Sequence, residues 1–149
     1  MGFALTAFVV GVERGFVSRA DAAKRILAML RWLISGRQGD DPAATIGYKR
    51  FFYHSLENTT GLRFETTELS TVDTALLMAG VLLAQSYFDG PAEGEIRTIA
   101  DCLYRRVDWC WAMARAPVVS MGWTPEAGFI AYDWADYNEA MLVYILGLG

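Results

Sequence analysis

The sequence predicts an all-α fold of antiparallel helical hairpins with long loops at one end. Three observations carry this reading. Five segments place apolar residues at helical spacing between caps and Gly or Pro stops. The connections between them alternate short and long, and short ones force antiparallel neighbours. The two long ones, Gly36–Ser70 and Ala116–Asp136, are rich in Tyr, Phe and Trp.

The first helix is expected over Gly2–Arg14, stopped by Gly15. The second opens at Ser18 with Asp21 in capping-box position, shows Ile26, Leu27, Leu30, Leu33 and Ile34 on one face, and ends at Gly36. The third follows Ser70, with Asp73 three residues on, and is apolar on nearly every side through Tyr87. Gly90-Pro91 breaks the chain. A fourth helix is expected over Ala92–Ala114 with a stripe of Ile96, Ile99, Ala100, Leu103 and Val107, and the fifth starts near Tyr137. Helices one, three and five are the greasier set, and two and four are amphipathic. That alternation suggests an inner and an outer layer, as in a helical toroid; a solenoid gives a similar pattern.

Composition narrows the function. The chain has 149 residues, 54% hydrophobic and 20% charged, with a net charge of −4. Such a length makes one domain or part of one. The acidic balance and the lack of a basic stripe argue against a nucleic-acid partner. No apolar run approaches the roughly 20 residues of a membrane span, and Met1–Val12 lacks the basic start and cleavage site of a signal peptide. A membrane-associated bundle would need the greasy helices to face lipid. Cys102 and Cys110 fall in one predicted helix about 12 Å apart along its axis, too far for a disulfide at about 7 Å, and read as buried small side chains. With one histidine, His54, no metal-ligand spacing is present, and neither is a phosphate-binding glycine loop or a Ser-nucleophile elbow.

Connections longer than about 15 residues in a compact domain are usually functional or disordered; their aromatic content argues here for function. Each long loop sets acids beside aromatics at the start of a helix. Rings stack on the CH faces of sugars, and a pair of carboxyl groups performs acid–base work on a glycosidic bond. The candidate acids are Glu68, Asp73, Asp136 and Glu139. Helix capping also explains Asp73, and the helix dipole favours Glu139 in a first turn. Asp133 reads as an N-cap, Glu65 and Glu126 as solvated loop acids. The candidate substrate contacts are Tyr53, His54, Trp109, Trp123, Trp134 and Tyr137, with Trp109 and Trp111 closing helix four. Asn58-Thr59-Thr60 matches a glycosylation sequon, which is discounted.

Five motifs in order carry a family resemblance: Gly47-Tyr48 through Tyr53-His54, Glu68-Leu69-Ser70-Thr71-Val72-Asp73, Tyr104-Arg105-Arg106-Val107-Asp108-Trp109, Gly122-Trp123-Thr124-Pro125-Glu126 and Tyr137-Asn138-Glu139-Ala140. The chain resembles the bacterial glucoamylase-like domain family, which includes endo-β-1,2-glucanases and a domain of cyclic β-1,2-glucan synthases. The resemblance implies an (α/α)6 toroid and an inverting hydrolase of β-glucan that needs no cofactor or metal. It makes Glu68 and Glu139 the leading acids, with Asp73 and Asp136 nearby. Family members are about three times longer and often exported to the periplasm. Residues 1–149 are therefore expected to form a fragment of one such domain, a partial toroid with uncovered apolar flanks on helices one and five. Such flanks favour a homo-oligomer or a missing half-domain as partner. The alternative function is a non-catalytic helical module binding oligosaccharide or protein through the same loops.

Overall fold

A computed structural model describes all residues, 1–149. The chain divides into two compact units, one of residues 1–35 and 76–106, the other of residues 36–75 and 107–149.

The first unit is helical. It holds α1 (Gly2–Glu13), α2 (Arg19–Ser35), most of α3 (Thr71–Tyr87) and α4 (Gly94–Arg105). The caps act as the sequence suggests. The Ser18 hydroxyl accepts the Asp21 backbone N–H at 3.1 Å and starts α2. Gly15 sits at φ +72° after α1, where a side chain would be strained. The core is built from Leu5 and Val9 of α1, Ile26, Leu30 and Leu33 of α2, Met78 and Val81 of α3, and Ile96, Ala100 and Leu103 of α4. A Cβ on Gly80 would lie 2.4 Å from the Gly2 carbonyl oxygen, so bare backbone is what lets α1 and α3 approach there. Arg19 ties the start of α2 to the α3–α4 turn: it pairs with Glu93 at 2.8 Å and donates to the Tyr87 carbonyl.

The second unit departs from the all-α expectation. The two long loops are not irregular; they pair as short strands. Strands β1 (Gly47–Tyr48), β2 (Phe51–Tyr53), β3 (Leu69–Ser70), β5 (Gly122–Thr124) and β6 (Gly128–Phe129) form one antiparallel sheet in the order β1-β2-β3-β5-β6. Strands β4 (Val119–Ser120) and β7 (Asp133–Trp134) pair separately. The β3–β5 ladder, with Leu69 opposite Trp123 and Ser70 opposite Gly122, joins the first long loop to the second. Strands of two or three residues leave no period in a sequence, and long-range pairing alone creates them.

Two helix boundaries also differ from expectation. Helix α4 ends at Arg105 rather than near Ala114. Beyond it, the Asp108 N–H bonds the Lys49 carbonyl and its carboxylate accepts the Trp111 N–H, so the chain is held in turns. Trp109 and Trp111 are accordingly not helical. The cysteines lose their shared helix: Cys102 is half-buried and Cys110 exposed, both free, rather than both buried. The last helix, α5, spans Met141–Leu148, so Glu139 lies in the preceding turn, outside the helix. There the Asn138 side chain takes the Ala140 N–H at 2.9 Å.

Candidate functional site

Strand register in the second unit builds the site. Tyr53 is opposite Leu69, and the ladder continues one step as the His54 N–H donates to the Glu68 carbonyl at 2.9 Å. Side chains alternate between the faces of a sheet, and directly opposed residues share one. His54 and Glu68 therefore share a face with Ser70 and Gly122. Leu69, Tyr53, Trp123 and Phe129 take the other.

On the first face, three polar side chains converge. His54 Nδ1 lies 2.7 Å from Asp73 Oδ2 and 3.8 Å from Glu68 Oε1. Asp73 reaches this point from the first turn of α3. Its backbone N–H donates to Ser70 Oγ at 3.2 Å, which completes the cap and leaves the carboxylate for the histidine. The His54, Glu68 and Asp73 side chains are 52%, 39% and 44% exposed, so the cluster faces solvent. Gly122 makes room for it, since a Cβ there would stand 3.1 Å from Glu68 Cγ. The two carboxylate oxygens are at most about 6.5 Å apart, the sum of their distances to Nδ1. Inverting hydrolysis sets its two carboxyl groups roughly 6.5–9.5 Å apart, with a water between. Glu68 and Asp73 thus stand together on one side of the site. No group of three or more His, Cys, Asp or Glu side chains is placed to hold a metal ion.

The opposite face is aromatic. Trp123 stacks on Tyr48 at 4.9 Å between centroids, and Trp111 meets both rings edge-on. Phe129 lies against Trp111 at 4.7 Å. Trp123 is thereby placed away from the Glu68 face, with one of its own faces covered. Tyr53 is only 4% exposed, beneath the Arg63 guanidinium at 4.9 Å, and burial pushes its phenol pKa up. It is a core residue and not open to substrate. Trp109 packs edge-on to Phe51 and lines an apolar cavity of about 240 Å³ with Val119, Val143 and Tyr144. Trp134 is half-buried, its indole N–H donating to Thr71 Oγ1 at 3.0 Å.

The remaining acids divide. Asp133 is bound by both the Nε and Nη2 of Arg115, at 2.7 and 2.5 Å, which holds its carboxyl below the usual range. Glu126 is not a free loop acid: it forms a fork with Arg63, whose side chain is 2% exposed and also donates to the Thr67 carbonyl. That contact lowers the Glu126 carboxyl too. Arg63, which pins the first loop to the second, is the residue the sequence reading passed over, while Gly122 was named only within a motif; the signal for Arg63 was an isolated arginine in an aromatic loop. Asp136, at φ +63°, Tyr137 and Glu139 are all exposed in the turn before α5, and none hydrogen-bonds to the His54 cluster.

No family model matches the chain. The exo-β-1,2-glucooligosaccharide sophorohydrolase (non-reducing end) of Parabacteroides distasonis is 28% identical over 157 residues, covering 99% of this chain and 20% of that protein. A Bacteroides uniformis structure, classed provisionally as a glucoamylase, superposes with a TM-score of 0.82 at 32% identity, covering 97% of this chain and 35% of its own. The β-1,2-glucanase of Parabacteroides distasonis superposes at 0.81 with 27% identity, covering 97% of this chain and 21% of its own. The chain spans between 20% and 35% of the length of these relatives. By sequence and by fold, it is a homologue of β-1,2-glucan hydrolases and glucoamylase-like proteins along nearly its whole length.

Proposed function

We propose that the chain is part of a glucoamylase-like (α/α)6 domain that hydrolyses β-glucan, with β-1,2-glucan as the preferred linkage. The observation that carries this reading is the open His54–Glu68–Asp73 cluster at the junction of β2, β3 and α3, in a chain homologous to β-1,2-glucan hydrolases. Glu68 is the proton donor to the glycosidic oxygen. It has a fixed backbone, an exposed carboxyl and no lysine or arginine partner. For inversion, the second carboxylate must stand across the sugar from it. Asp73 is too close for that; Glu139 and Asp136, in the turn before α5, are the residues of this chain proposed for the role.

A reducing-sugar assay of the 149-residue chain on linear β-1,2-glucan, with β-1,3- and β-1,4-glucan alongside, tests this. Turnover on the β-1,2 linkage should fall about 100-fold or more in Glu68→Gln, the usual worth of a general acid. Unchanged turnover in Glu68→Gln would contradict the assignment. A second reading, a module that binds glucan without cleaving it, is favoured by the exposed turn of residues 136–139, which makes no hydrogen bond to the His54 cluster. Binding without turnover supports it.

A further inference from the structure

We propose that His54 contacts substrate through Nε2, its tautomer locked by Asp73, so that Asp73 is a positioning residue and not a second acid. The inference rests on the glucan-binding reading above and assigns the chemistry of that site. An ionised carboxylate accepts hydrogen bonds and donates none. The proton of the 2.7 Å contact between His54 Nδ1 and Asp73 Oδ2 therefore sits on Nδ1. Whenever the ring is neutral, Nε2 is then its acceptor, a tautomer set by the bond at the other nitrogen. The lock has independent supports. The His54 backbone is fixed on Glu68 through the ladder. Ser70 Oγ caps α3 by accepting the Asp73 backbone N–H, and the Asp73 carboxylate takes no part in the cap.

The outcome is a surface of acceptors. Glu68 Oε1 lies 3.8 Å from His54 Nδ1, beside a ring whose side chain is half exposed, and neither Glu68 nor Asp73 pairs with a lysine or arginine. Its ligand is an uncharged polyol that donates adjacent hydroxyls, one to Nε2 and one to Glu68.

His54 is the sole histidine of the chain, so its ring nitrogens can be read without assignment by ¹⁵N NMR. The neutral ring should be the Nδ1–H tautomer in the wild type and lose that preference in Asp73→Asn, whose amide can donate or accept. Titration with a β-1,2-linked glucooligosaccharide should move the Nε2 signal. Loss of one such hydrogen bond, about 1–1.5 kcal/mol, corresponds to roughly a tenfold weaker affinity in His54→Ala. Asp73→Asn should weaken affinity in the wild type and add nothing in the His54→Ala background. A wild-type Nε2–H tautomer, or the same tautomer in Asp73→Asn, overturns the lock. Oligosaccharide binding with unmoved His54 signals overturns the contact and leaves the glucan reading standing. A locked ring with no oligosaccharide binding overturns the glucan reading, and the contact with it.

Discussion

A Cβ on residue 122 would stand 2.7 Å from the Leu69 carbonyl oxygen and 3.1 Å from Glu68 Cγ. The first contact is with backbone and cannot be relieved by a rotamer change. Gly122→Ala is expected to open the β3–β5 ladder, at a cost of about 1–3 kcal/mol as for other overpacked sites, and to displace Glu68. A urea melt and the rate on β-1,2-glucan should both fall; a melt within error of the wild type would contradict the packing account. Two other side chains are expected to add to the unit's acid sensitivity. The Asp133 and Glu126 carboxyls lie below their ordinary values of 3.8 and 4.5, because Arg115 and Arg63 bond them. Both are therefore more acidic folded than unfolded. Their contribution is complete above those ordinary values and is lost as pH falls through the lower folded ones. Thermal midpoints should fall with acidification below about pH 4, and Arg115→Ala or Arg63→Met should flatten that limb. Salt should shrink the effect, since the pairs are partly exposed.

The starts of α2 and α3 were legible because short side chains mark them. Ser18 and Ser70 cap as read, and Gly15 closes α1. The Ser70–Asp73 pair was read as a full capping box, but only half of it forms. Ser70→Ala should cost about 1 kcal/mol, whereas Asp73→Asn should cost no more than about half of that through the helix dipole. Guanidinium melts of the two variants check this; equal losses would mean that the Asp73 carboxylate is structural. The start of α5 was misread because the Asn138 side chain holds the Ala140 N–H in a turn, and the end of α4 for a different physical reason. A helix-compatible sequence was captured by distant partners: Lys49 takes the Asp108 N–H, and Phe51 and Tyr48 take the rings of Trp109 and Trp111. The β1–β2 turn was equally hidden. Lys49 and Arg50 both adopt positive φ, 53° and 68°, where Asn-Gly is the usual signal. Asp108 holds Lys49 at 3.5 Å and Gln38 accepts the Arg50 N–H.

At the scale of the whole chain, helix pattern and loop length predicted five helices and two functional loops, and the family resemblance is borne out by homologues covering 97–99% of the chain. What stayed hidden is that the loops are a sheet. Its alternation puts Trp123 and the acids on opposite faces, although both lie in motifs that look alike in the sequence. No helix is long and apolar enough to cross a membrane. Apolar side chains nonetheless stand open on α1 and α5, among them Phe3 at 74% and Leu148 at 90% exposure. The central claim concerns one cluster in the second unit, and calorimetric titration of the chain with a β-1,2-linked glucooligosaccharide tests it most directly. Saturable binding is expected, weakened about tenfold when His54→Ala removes one acceptor and retained in Glu68→Gln, which loses the proton donor but keeps an acceptor oxygen. Equal affinity in the wild type and His54→Ala, or no heat in either, would contradict it.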